Sequence, residues 1–115
     1  MSAEIELLRR IYAQFNRREI DPVLAEMHAD VDWPNGMEGG RVLGRNAVRE
    51  YWTRQFQLLD PHVEPEGFRI AEDGRIVVKV HQVVHDLSGH LLVDQKIEHI
   101  YEIEDGLIRS MEILQ

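Results

Sequence analysis

From Ala3 to Arg18, apolar residues fall at Ile5, Leu8, Tyr12 and Phe15, with Ile11 alongside. That three-and-four spacing predicts a helix with one buried face. Ser2 stands where a cap is needed, Glu4 and Glu6 suit the positive end of the helix dipole, and Arg17 and Arg18 suit the other. Asp21-Pro22 reads as a cap followed by a first-turn proline and predicts a short second helix to about His28. Val31-Asp32-Trp33 reads as extended and stops at Pro34, and four glycines between Asn35 and Gly44 predict a loop or a short hairpin. A third helix, from about Arg45 to Leu59, carries the apolar stripe Val48, Tyr51, Trp52, Phe56 and Leu59.

The second half changes period. Asp73-Gly74, Ser88-Gly89 and Asp105-Gly106 are hairpin-type turn signals separating extended segments near 62–71, 75–87, 91–104 and 107–114. Helices first and an antiparallel meander afterwards predict an α+β fold, its helices covering one face of a curved sheet. With Ser88-Gly89 as the central turn residues, Leu87 faces His90, Gln82 faces Gln95, Val80 faces Ile97 and Val78 faces His99. The same register sets Lys79 opposite Glu98 on the outer face, so both faces agree under one pairing. The inner face is apolar except for Gln82, Gln95, His99 and Tyr101, and buried polar groups need partners. The two glutamines either satisfy each other or hold a polar group of a ligand. The last segment has two registers. A two-residue turn at Asp105-Gly106 pairs Glu102 with Arg109 and forms a His99–Glu112 dyad, whereas a one-residue bulge near the end turns Met111 and Ile113 inward. Burial of apolar surface favours the bulge.

Length and composition fit one domain spanning residues 1–115. The absence of Cys excludes disulfides, thiolate zinc sites and cysteine nucleophiles. Thirteen basic against 21 acidic residues leave a net charge of −8, which argues against nucleic acid and anionic membranes as partners. No apolar run approaches the ~20 residues of a membrane span. No basic segment followed by an apolar core opens the chain, and the expected location is cytoplasmic.

His99 is the first candidate for chemistry. An inward histidine titrating near neutrality can give or take a proton, and Tyr101 lies two residues along the same face, about 6–7 Å away. Tyr12, Trp33, Tyr51 and Trp52 are candidate walls for a flat hydrophobic ligand. Asn35, Phe56, Gln82, Gln95 and Met111 complete the candidate ligand contacts. The competing reading is a closed core in which His99 bonds only to protein. His81 and His85 have a metal-like spacing, but four residues along a strand is about 13 Å, too far to share an ion. No metal or other cofactor is expected.

Several local sequences resemble a known family: Phe15-Asn16 to Ile20-Asp21-Pro22, then His28-Ala29-Asp30-Val31-Asp32-Trp33-Pro34. Gly44-Arg45-Asn46-Ala47-Val48-Arg49-Glu50-Tyr51-Trp52, and His99-Ile100-Tyr101 to Asp105-Gly106-Leu107-Ile108, extend the likeness over nearly the whole chain. The pattern resembles the SnoaL-like branch of the nuclear transport factor two-like superfamily. The resemblance implies a cone-shaped fold, three N-terminal helices packed on a strongly curved, mainly antiparallel sheet, with a pocket at the open end. It also implies a homodimer packed through the sheet, for which Val77, Val83, Ile100 and Met111 offer an outer patch. The family contains ketosteroid isomerases, polyketide cyclases, dehydratases, epoxide hydrolases and proteins without catalysis, so fold alone does not select a function. Aligned on ketosteroid isomerase, Trp33 occupies the place of the Asp base. Ile11, with Tyr12 one step off, occupies that of the Tyr donor, and His99, or Glu98 with the gap moved by one, that of the protonated Asp. The implied function is binding of a small hydrophobic cyclic molecule, with cofactor-free acid–base isomerisation, cyclisation or dehydration. The alternatives are a non-catalytic binding module and a dimeric accessory domain.

Overall fold

Ser2 Oγ accepts the Ile5 amide and starts helix α1 (Ala3–Asn16). The computed structural model describes residues 2–115. Helix α1 ends two residues before its apolar spacing predicts. Arg18 adopts a left-handed φ of 64°, and the amides of Arg18 and Glu19 fold back onto the carbonyls of Phe15 and Gln14. This is a Schellman stop with arginine where glycine is usual, so no glycine marks it in the sequence. Helix α2 (Ile20–Ala25) is capped by Glu19 without a side-chain bond, and Asp21 lies in its first turn rather than at the cap. It stops short of His28 because the sheet claims the next residues: the Ile108 amide donates to the Glu26 carbonyl, and strand β1 (Met27–Pro34) begins beside it.

The glycine-rich segment returns as strand β2 (Arg41–Leu43), paired antiparallel with β1. Helix α3 (Arg45–Leu58) follows, and the meander comprises β3 (Leu59–Ile70), β4 (Ile76–Asp86), β5 (Leu91–Glu104) and β6 (Leu107–Leu114). The six strands lie in the order β2-β1-β6-β5-β4-β3. Every pair is antiparallel except β1 with β6. Leu8, Ile11 and Tyr12 of α1 and Val48, Tyr51 and Trp52 of α3 are buried against the inner face of this sheet, as the α+β reading expects. Among the described residues no helix is long and apolar enough to cross a membrane.

The central pairs fall where the two-faced pattern puts them: Gln82 with Gln95, Val80 with Ile97, Val78 with His99, and Lys79 with Glu98. The hairpin tip differs. Asp86 bonds to His90, which leaves the three residues Leu87, Ser88 and Gly89 in the turn, and Leu92 is an extra residue in β5 between the partners of Val84 and His85. One residue added to the turn and one to the strand cancel, and the distant register is preserved. In the last hairpin, Asp105 and Gly106 both have positive φ, 54° and 77°, the tight two-residue turn that Asp-Gly favours. The bulge follows at once, at Arg109, and sets Tyr101 opposite Met111 and His99 opposite Ile113. Glu112 is exposed and forms no dyad with His99. A further extra residue sits at Glu66 in β3. Bulges bend and twist the strands that carry them, and those in β3, β5 and β6 help curl this sheet around α1.

Strand β3 is an edge, and Asn16 covers part of it. Its Nδ2 donates to the Val63 carbonyl at 2.8 Å and its Oδ1 accepts the Val63 amide at 3.0 Å, as a neighbouring strand would. Asn16→Ala leaves both backbone groups of a buried residue unpaired. The expected cost is about 1–3 kcal/mol, read as a lower urea midpoint with an unchanged slope.

Candidate functional site

Strand β5 alternates, and α1 presents Tyr12 to its inner face. The Tyr12 hydroxyl lies 2.7 Å from His99 Nδ1, and the Tyr101 hydroxyl donates to Tyr12 at 2.9 Å. The rings are 5.9 Å apart and nearly parallel for Tyr12 and His99, and 6.1 Å apart and edge-on for His99 and Tyr101. All three residues are buried. A hydroxyl has one proton to give. The direction of the protons along this chain sets the imidazole tautomer: with Tyr101 donating to Tyr12 and Tyr12 to His99 Nδ1, the imidazole proton lies on Nε2. His99 Nε2 makes no hydrogen bond among the described residues.

That nitrogen belongs to a side chain lining a cavity of about 430 Å³ between the sheet, α1 and α3. The volume lies within the range of small-molecule sites, about 300–1,000 Å³. Trp33 and Trp52 stand edge-to-face at 5.6 Å and form a wall with Phe15, which meets Trp52 at 5.3 Å. They line the space rather than fill it. The lining runs from buried His99 to exposed Leu92 at the β5 bulge, which marks the open end. Among the described residues, no side chain of Asp, Glu, Lys or Arg lines it.

Of the residues singled out in the sequence, Tyr12, Trp33, Tyr51, Trp52 and Met111 line the cavity together with His99 and Tyr101. Gln82 and Gln95 do too, and they bond to each other at 2.7 Å. Asn35 and Phe56 do not line it. Asn35 Oδ1 instead accepts the amides of Met37 and Glu38 and holds the turn that brings Gly36 and Met37 to the cavity. Phe56 packs outside the wall, on Phe15 at 5.4 Å and beneath the Arg18 guanidinium at 4.5 Å. Met111 faces inward and leaves the outer patch, where Val77 is itself buried. The alternation misses Gln55, Leu92 and Met37. Gln55 follows Tyr51 by one helical turn and reaches its hydroxyl at 3.4 Å, a spacing that could have revealed it. Leu92 enters the lining at the bulge, which has no sequence marker.

Burial sets the charge of His99. Burial pushes its pKa from 6.5 down to about 4, so at neutral pH it is uncharged. In the tautomer with the proton on Nε2, it is a hydrogen-bond donor. Burial also raises the pKa values of Tyr12 and Tyr101, so both hydroxyls stay protonated.

Residues 8–111 match the family model of the SnoaL-like domain, and the chain belongs to that family within the nuclear transport factor two-like superfamily. No curated protein matches it in sequence. Among solved structures it is similar to a nuclear transport factor two-like protein of unknown function from Burkholderia pseudomallei K96243. The identity is 28% and the TM-score 0.85, over 98% of this chain and 90% of that one. It is also similar to TerC, co-crystallised with polyporic acid, at 31% identity and a TM-score of 0.84, over 98% and 91% of the two chains. An epoxide hydrolase of the LEH-like type from M. tuberculosis shares the fold at 15% identity, with a TM-score of 0.80 over 96% and 80%.

The His99 shift has a sign. The unfolded chain takes up a proton below about pH 6.5, and the folded chain only near 4. Between those values the unfolded state binds more protons, so stability is full above about pH 6.5 and falls as the pH drops towards 4. The loss amounts to about 3 kcal/mol. Urea titrations from pH 7 to 4 should show this slope in the wild type and a shallower one in His99→Leu. That variant strands the Tyr12 hydroxyl at every pH, so the slope is the readout, and equal slopes would refute the assignment.

Proposed function

We propose that the cavity binds an uncharged, hydrophobic cyclic molecule whose oxygen accepts a hydrogen bond from His99 Nε2, and that this donor promotes cofactor-free isomerisation, cyclisation or dehydration. The hydrogen-bond chain from Tyr101 through Tyr12 to His99 carries the reading. It leaves one fixed N–H on the lining of a cavity without charged side chains. A preorganised donor in a dry site stabilises negative charge developing on a carbonyl oxygen without itself losing a proton. A neutral imidazole serves as an electrophile in this way in other enzymes. Among the described residues no Asp or Glu side chain lines the cavity, so no side-chain carboxylate is placed to take a proton from carbon, and that proton passes to water or to a basic group of the substrate. That requirement suits substrates with acidic C–H bonds. TerC was crystallised with polyporic acid, and this likeness supports a cyclic, oxygenated ligand.

A non-catalytic binding module is the second reading, and the missing base favours it. A homodimer through the outer sheet face is proposed with either reading. Val83 and Ile100 remain partly exposed there, and a monomer mass at micromolar concentration would count against it.

Two assays separate the readings. Polyporic acid and 2-tetralone should quench the fluorescence of Trp33 and Trp52, and His99→Phe should weaken both by about tenfold, the loss of one hydrogen bond into a buried site. Absence of binding by either compound to the folded protein would sink the cavity reading. Hydrogen–deuterium exchange at the acidic carbon of 2-tetralone, followed by NMR, should accelerate with the wild type and not with His99→Phe. Binding without acceleration would leave the non-catalytic module.

A further inference from the structure

We propose that the Gln82–Gln95 amide pair is a second recognition point of the cavity, and that the ligand carries an uncharged donor–acceptor group, such as a primary amide or a hydroxyl beside a carbonyl, at the end remote from His99. This inference rests on the cavity reading above and specifies the ligand it takes.

The pair is only half-satisfied internally. Gln95 Nε2 donates to Gln82 Oε1 at 2.7 Å, while Gln82 Nε2 and Gln95 Oε1 make no hydrogen bond among the described residues. Both side chains are partly exposed and line the cavity. Side by side on paired strands, they present amide donors next to an amide acceptor. An apolar molecule covering this edge would strand those groups, and an unpaired buried polar group is costly. A ligand filling the cavity must therefore answer them or leave water there.

Position separates this point from His99. Gln95 and His99 lie four residues apart on the same face of β5, about 13 Å along the strand. Ile97 lies on the lining between them. His99 is buried, and the glutamines lie on the side of exposed Leu92. The matching ligand is elongated: an oxygen for the His99 N–H at the inner tip, an apolar body, and a donor–acceptor group near the mouth. The absence of charged lining residues makes both ends neutral.

Two probes differing only at the outer end test this: 4-acetylbiphenyl and 4′-acetylbiphenyl-4-carboxamide, titrated against the full chain by tryptophan fluorescence. The wild type should prefer the carboxamide by about tenfold, as expected for two neutral hydrogen bonds. In the double variant Gln82→Leu, Gln95→Leu the ratio should fall to about one. Wild type without preference overturns the proposal and needs no variant. A preference that survives in the double variant, shown folded by circular dichroism, overturns it too. If neither biphenyl binds the wild type, the second recognition point falls. If polyporic acid and 2-tetralone also fail, the cavity reading falls with it, whereas binding of 4-acetylbiphenyl without discrimination removes only the amide pair.

Discussion

The Tyr12 hydroxyl is shared between two residues of one strand, and the rest of the site depends on that sharing. It takes a hydrogen bond from Tyr101 and gives one to His99. Both contacts meet on one oxygen, and the second orients the imidazole. Because both partners belong to β5 and Tyr12 belongs to α1, the same atoms hold the first helix across the inner face of the sheet. Removing the chain would leave three polar side chains in the core without partners, which apolar packing cannot offset.

Charge is excluded from the interior with some thoroughness. Charged residues make up 30% of the chain, yet none lines the cavity. They pair on the surface instead, as Lys96 does with Glu66 and Arg41 with Asp32. The interior that results is apolar with a few oriented dipoles, and the imidazole within it loses its charge. A neutral histidine in a dry cavity differs chemically from the neutral-pH acid–base residue that its sequence position implies. In the proposed role it polarises a ligand oxygen, and proton traffic falls to water or to the ligand.

The shape of the cavity comes from irregularities in the strands. Extra residues at Glu66, Leu92 and Arg109 curl the sheet. The bulge at Arg109 turns Met111 inward beside Tyr101, and the one at Leu92 brings that leucine to the cavity's rim. An ideal meander would place Glu112 opposite His99 and pair an acid with the imidazole. Burial of Met111 decides against that register, because a carboxylate in this interior would have to be desolvated while an apolar side chain gains by the same move.

Period and turn chemistry, both local properties, were legible in the chain by itself. The helical stripe through Leu8, Tyr12 and Phe15, the alternation through Val93, Gln95, Ile97, His99 and Tyr101, and the Asp-Gly turn are set by neighbours a few residues apart, and they define an α+β fold with an inward His99 and a facing glutamine pair. Tertiary structure alone decided what depends on distant atoms. The Arg18 helix stop and the Leu92 bulge have no residue signature, because backbone bonding rather than side-chain preference makes them. The partner of His99 lies 87 positions away at Tyr12, and its lowered pKa is a property of its surroundings. Asn35 and Phe56 have the composition of cavity residues and sit beside one, yet a turn holds the first and Arg18 covers the second. Residue type specifies what a side chain can do, and packing determines whether it meets the cavity.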